Sequence, residues 1–217
     1  MNYFAHALPF FDRPYFMAGT AVPDWLMVAD RQARLRSRHV KPFQQDTDPC
    51  LAAVAGGILQ HLRDDAHFHG SRAFAETSLE LTVRARDVLQ AETGLRPAFL
   101  GHLLVEMLLD DALIREQPQQ LTEYYRILGG IDPGRIEAAV NRMLPQPTQR
   151  LATFAHLFCR EQILWNYRED DKLLWRLNQI MRRVRLAPLP GEFAALLPAA
   201  RKLVGGRKEA LLEGIPT

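Results

Sequence analysis

Cysteine, alternating β-branched runs and long apolar stretches are scarce in this 217-residue sequence, and each scarcity removes a class of protein. The two cysteines, Cys50 and Cys159, form no CxxC pair, so neither a disulfide framework nor a cysteine metal knuckle is expected. No stretch approaches the roughly 20 uncharged apolar residues of a membrane span. The N-terminal segment MNYFAHALPFFDRPYFMAG lacks a basic n-region and is interrupted by His6, Asp12 and Arg13. That argues against a signal peptide and makes the cytoplasm the expected location. Charge of one sign is missing too. The 27 Lys and Arg face 25 Asp and Glu, for a formal net charge of +2. This is a weak attraction for anionic partners, which argues against a nucleic-acid binder without excluding one.

What the sequence does have is apolar residues recurring at helical spacing, which predicts an all-α protein. At 47% hydrophobic, 1–217 is expected to form a single-domain multi-helix bundle, since domains typically hold roughly 100 to 200 residues. Pro14 is placed to open a helix, and Pro23 to kink or end it before Asp24, with Gly19 and Thr20 in a tight turn. Residues 31–47 read as an exposed connection. Asp48 and Pro49 cap a long helix through LAAVAGGILQHLRDDAHFH, in which Gly56 and Gly57 allow a neighbouring helix to come close. Further helices are expected at 71–92, closed by Gly94, then from Pro97 to a stop before Pro118, and at 119–128, 133–143, 149–167 and 170–184. A helical portion in 186–217 is the least defined.

Two of these helices carry a repeated polar pattern. His61, Asp65 and His69 stand at i, i+4 and i+8, on one helical face. His102, Glu106 and Asp110 repeat the spacing on a helix otherwise rich in leucine, where a buried carboxylate needs a cation or several hydrogen bonds. His67 and Asp64 are expected to face away as bystanders. Asp24 at the proline-marked bend and His6 in the first turn complete a candidate metal set of His6, Asp24, His61, Asp65, His69, His102 and Glu106, all within 1–115. The plain alternative is a helical protein whose histidines bridge helices through neutral hydrogen bonds.

These motifs resemble the all-helical metal-dependent phosphoesterases, in particular the acyl carrier protein phosphodiesterase family. Its N-x-x-A-H, G and D pattern appears here as Asn2, Ala5, His6, Gly19 and Asp24, followed by His61 and Asp65 as H-x-x-x-D. The combination also resembles the zinc-dependent phospholipase C and P1 nuclease superfamily. There an aspartate, a histidine with aspartate four residues on, and a histidine with glutamate four residues on hold a metal cluster. Those positions match Asp24, His61 with Asp65, and His102 with Glu106, and His69 corresponds to an additional histidine. The resemblance implies a phospholipase C/P1 nuclease-like helical fold and covers roughly the first half of the chain. The sequence departs from these families where Glu106, Asp110 and Asp111 replace a D-x-x-x-D-H motif, where Leu62 stands in place of an arginine, and where no N-terminal tryptophan is found.

Nitrogen and oxygen ligands without thiolates suit zinc, manganese, iron or nickel. Two or more such ions, roughly 3.5 to 4 Å apart and bridged by a carboxylate such as Asp65, would support hydrolysis of phosphoric diesters by activated water. Asp65, His69, His6 and Arg63 are the expected catalytic residues. Arg63 is expected to clamp a phosphate oxygen, and Asp110 to fix a histidine tautomer. The substrate would be a phosphoester, carried in one version by a small acidic carrier protein that could meet basic residues in Arg31–Lys41 or at Arg182, Arg183 and Arg185. Acyl carrier protein phosphodiesterase proper and a non-catalytic helical metal-binding or interaction module are the alternatives.

Overall fold

A computed structural model describes residues 1–89 and 96–216. It is 80% helix, with no strand among the described residues. The α-helices are α1 (Tyr3–Ala7), α2 (Pro14–Ala29), α3 (Ser37–Val40), α4 (Pro49–Gly70), α5 (Arg72–Leu89), α6 (Arg96–Glu116), α7 (Pro118–Gly129), α8 (Pro133–Met143), α9 (Leu151–Glu161), α10 (Asp170–Arg183), α11 (Leu197–Gly206) and α12 (Lys208–Leu212). Short 3-10 turns lie at Leu8–Phe10, Lys41–Phe43, Ile163–Arg168 and Gly191–Leu196. Gly94 and the end of the helix expected at 71–92 lie outside the described residues.

Proline punctuation sets many of the starts, because the first helical residue needs no N–H partner. Pro14, Pro118 and Pro133 all sit in that first turn. Asp48 caps α4 through Oδ1, accepting from Cys50 N at 2.9 Å. Asp132 caps α8 by accepting from Gly134 N at 2.8 Å.

Two expectations fail at boundaries. Pro23 lies inside α2, which runs uninterrupted from Pro14 to Ala29, so Gly19, Thr20 and Asp24 are helical rather than at a turn or break. Tertiary packing overrides the proline here, since Met17, Ala18, Ala21, Val22, Trp25 and Leu26 are all buried around it. The helix expected at 149–167 stops at Glu161, where Gln162 turns left-handed with φ 45. Residues 31–47 contain α3 and a 3-10 turn and are otherwise mostly exposed, as expected of a connection.

The helices group into two compact units. The N-terminal unit comprises Asn2–Ala66 and Gln117–Gln162. The C-terminal unit comprises Met1, His67–Glu116 and Ile163–Ile215, so α4 passes from one unit into the other after Ala66.

In the N-terminal unit, Phe158 of α9 is the hub of an aromatic core. Its ring lies 4.8 Å from that of Tyr3, 5.5 Å from Trp25 and 6.4 Å from Tyr124. Tyr3 and Phe4 thereby anchor α1, the short helix that carries His6. In the same unit α2 and α4 meet backbone to backbone. A Cβ on Gly57 would come within 2.0 Å of the Phe16 carbonyl oxygen, and one on Gly19 within 2.5 Å of the Val54 oxygen.

The loop after α8 is tied to both Asn141 and Asp30. Thr148 N donates to Asn141 Oδ1 at 2.8 Å, and Thr148 Oγ1 donates to Asp30 Oδ2 at 3.0 Å. The Thr148 hydroxyl, helped by Gln32 N–H, holds the Asp30 carboxyl below its ordinary 3.8. A depressed carboxylate contributes stability that is present above its unfolded value and lost as pH falls through the folded one. Asp30→Asn should therefore lower the urea midpoint at pH 6. The gap to wild type should narrow once the pH drops below 3.8, and a gap that persists unchanged to pH 2 would refute the ionic contribution.

In the C-terminal unit α5 packs on α6 at another close approach. A Cβ on Gly101 would lie 2.3 Å from Thr82 Oγ1 and 2.5 Å from the Ser78 carbonyl oxygen. At the far end of α6 the fully buried Asp111 accepts from Arg115 Nε at 2.9 Å and also from Arg201. Arg201 further donates to the Tyr167 carbonyl at 2.8 Å and to Asp170 at 2.5 Å.

Candidate metal centres

Among the described residues each unit holds one cluster of two histidines and a carboxylate, and both are built in the same way. In each, a His-x-x-x-acid pair on one helix receives a second histidine from elsewhere in its unit. In the N-terminal unit α4 supplies His61 and Asp65 and α1 supplies His6. In the C-terminal unit α6 supplies His102 and Glu106, and the last turn of α4 supplies His69. The ligand atoms of each trio lie within 4.8 Å of one another, so either trio could hold a metal ion. Four-coordinate zinc with bonds near 2.0 to 2.1 Å separates its ligands by about 3.4 Å, so small side-chain adjustments suffice.

In the first cluster His6 Nε2 lies 3.1 Å from Asp65 Oδ1, and His61 Nε2 lies 3.2 Å from Asp65 Oδ2. The two imidazoles stack with centroids 4.2 Å apart. The α2–α4 contact fixes this geometry: His61 stands one turn beyond Gly57, and its Nδ1 lies 2.8 Å from the Thr20 carbonyl, next to Gly19. Pro23 has no N–H to give and crowds the preceding turn of α2, the turn that contains Thr20. A carbonyl only accepts, so Nδ1 must carry a proton. In neutral His61 the Nε2 is then a bare lone pair facing a carboxylate oxygen. That arrangement requires a cation or an extra proton between them.

In the second cluster Glu106 Oε1 is 3.0 Å from His69 Nε2 and 3.3 Å from His102 Nε2. The imidazoles again stack, 4.7 Å apart. Phe74 of α5 stands edge-on to both, with centroids at 4.8 and 5.0 Å. The Met1 amino group also faces Glu106 Oε1, at 3.4 Å.

Both carboxylates are held ionised. Burial pushes Asp65 upward, but hydrogen bonds from His6 and His61 and the charge of His61 outweigh it, leaving Asp65 well below the usual range. For Glu106 the same contest, with His102 and His69 opposing burial, ends at about 2. The thiols take no part: burial raises Cys159 to about 11 and also raises Cys50.

The clusters differ in exposure. The side chains of His6, His61 and Asp65 are 0%, 3% and 27% exposed. Those of His69, His102 and Glu106 are 31%, 41% and 16% exposed.

Other expected site residues fall outside the trios. Asp24 is half-buried within α2 and belongs to neither trio. His69, expected to share a site with His61 and Asp65, is grouped with His102 and Glu106 instead. Asp110 is fully buried in α6. Arg63 is exposed and donates to Gln60 Oε1 at 2.6 Å, a bond that phosphate clamping would have to break. Asp64 does not face away. It is 5% exposed, with Oδ2 3.6 Å from His6 Nδ1 and Oδ1 accepting from Gln60 Nε2 at 2.7 Å. His67 is exposed and donates to the Glu213 carbonyl at 2.8 Å. Trp25 is buried in the core, whereas Trp175 is 52% exposed with Arg176 over its ring.

Met1 and Phe74 went unanticipated, since neither residue type signals a metal site. Gly101, beside His102, offered a signal of the same kind as Gly57. Comparisons with protein-family models, with curated proteins and with solved structures found no match.

Proposed function

We propose that this chain is a metal-dependent hydrolase of phosphoric esters, phosphodiesters above all, holding two divalent ions, one in each trio, and acting in the cytoplasm. The observation that carries the reading is the His61 imidazole. Thr20 claims its Nδ1–H, so its Nε2 lone pair is aimed at the ionised Asp65 beside a second imidazole. Two neutral nitrogens and one anionic oxygen suit zinc, manganese, iron or nickel.

A bound divalent ion would supply Lewis acidity and acidify water. In the second centre Glu106 contributes one negative charge and the Met1 amino group adds a positive one, so with a divalent ion that centre is net positive and attracts a phosphodiester anion. The partly exposed His69 and His102 leave an open side through which a phosphoryl oxygen and water can enter, the feature that separates catalytic from closed structural sites. Phe74 packs edge-on against both imidazoles and helps hold their orientation.

The narrower reading, release of a phosphopantetheine group from a small acidic carrier protein, is favoured by the exposed Arg31, Arg34, Arg36, Arg38 and Lys41. These supply positive charge for an acidic protein surface.

Protein purified without chelator should carry about two equivalents of transition metal. It should hydrolyse a chromogenic phosphodiester, lose that activity on chelation and regain it on metal return. Fewer than about 0.2 equivalents after reconstitution would overturn the metal reading. Full metal occupancy without hydrolysis would leave a metal-binding module in place of an enzyme.

A further inference from the structure

We propose that Asp64 is a positioning residue for the cluster of His6, His61 and Asp65: its carboxylate takes the Nδ1–H of His6 and so turns the His6 Nε2 lone pair toward the ion. The inference rests on the reading of His6 as a metal ligand. His6 is fully buried, and its Nδ1 has no hydrogen-bond partner within 3.5 Å. An orphaned buried ring nitrogen is costly, and the carboxylate oxygen Oδ2 of Asp64 stands just beyond bonding distance, at 3.6 Å. Its other oxygen, Oδ1, is fixed by Gln60 Nε2 at 2.7 Å, and Gln60 Oε1 is fixed in turn by Arg63 at 2.6 Å. The carboxylate is therefore held in place with Oδ2 left for His6.

The two histidines of the cluster are thus oriented by different acceptors. His61 gives its Nδ1–H to a neutral backbone carbonyl, and His6 gives its own to an anion. Drawing electron density off Nε2 onto an ion makes Nδ1–H a stronger donor, so the 3.6 Å approach closes when the site is filled. A carboxylate behind a ligating imidazole also makes that imidazole the more basic donor. Asp64 stands one residue before Asp65, so adjacent carboxylates divide the work, one meeting the imidazoles on their metal side and the other holding His6 from behind. Arg63 ends the chain of hydrogen bonds that orders Asp64.

The test uses zinc alone with the full chain, in competition with a chromogenic chelator. Asp64→Asn keeps the shape but weakens the acceptor, and should lower affinity at one of the two sites about 10- to 100-fold, with Asp64→Leu lower still. Gln60→Ala should fall between wild type and Asp64→Asn. Nitrogen-15 spectra of the zinc-loaded wild type, which need no variant to fold, should show His6 with a protonated Nδ1 and a zinc-bound Nε2. Affinity of Asp64→Asn within about twofold of wild type, or a His6 bound through Nδ1, overturns the proposal while leaving the metal reading intact. Absence of zinc binding by the wild type overturns both.

Discussion

Asp65→Asn should reduce metal content from about two equivalents to one and weaken zinc binding at its cluster by at least about 100-fold. Both oxygens of Asp65 are engaged, one facing each histidine of its cluster at 3.1 and 3.2 Å. Asparagine removes the only anionic donor of the trio and places an amide N–H₂ against one of the two imidazole lone pairs. The replacement is nearly isosteric, so the loss is electrostatic. Thermal unfolding of the chelated protein should also come at a lower temperature, because a carboxylate held well below its usual range contributes stability that asparagine does not supply. His102→Ala should remove the other equivalent by the same reasoning, and the double variant should hold none. Metal content is read by elemental analysis of desalted protein. Two equivalents retained in Asp65→Asn would remove this residue from the site.

The chemical motif was readable before the structure, and its grouping was not. H-x-x-x-acid spacing on a helix guarantees that His61 faces Asp65 and His102 faces Glu106, because i and i+4 share a face whatever the helix packs against. The third member of each trio comes from tertiary placement. His69 shares the α4 face with Asp65 in sequence terms but bonds Glu106 of α6. His6 reaches Asp65 only because Tyr3 and Phe4 anchor α1 in the aromatic core.

Helix starts were legible where proline and a capping aspartate coincide, as at Asp48–Pro49. The stop at Gln162 had no glycine to announce it. Pro23 is no stop signal here, because a well-buried helix continues through it, and the turn before it supplies the carbonyl that orients His61. Asp64 was misjudged because α4 buries more than one face. A residue off the polar stripe of such a helix points into the protein, where an unpaired carboxylate would be expensive, and Asp64 is paired there with Gln60.

The glycine contact beneath the first cluster carries the largest structural prediction. In an ordinary helix Gly→Ala is favourable by about 1 kcal/mol. Gly205→Ala in α11, where an added Cβ meets nothing within 4 Å, should follow that rule and raise Tm slightly. Gly57→Ala should do the reverse. Its Cβ would lie 2.0 Å from the Phe16 carbonyl oxygen and 2.9 Å from Gly19 Cα. Both are backbone atoms of α2, which no rotamer change can move aside. The helices must separate, unpacking the buried residues between them, at a net cost of about 3 kcal/mol after the propensity gain. For a chain of this size that corresponds to a fall in Tm of roughly 6 to 12 °C. The same separation draws the Thr20 carbonyl away from His61 Nδ1, so zinc affinity at that cluster should drop even below the unfolding transition. Gly56→Ala provides the contrast. Its Cβ would meet only the Phe16 ring, at 2.8 Å, and a side chain can swing away, so the loss should be smaller. A Gly57→Ala protein with wild-type Tm and undiminished zinc affinity would show that the α2–α4 contact neither limits the packing nor positions His61.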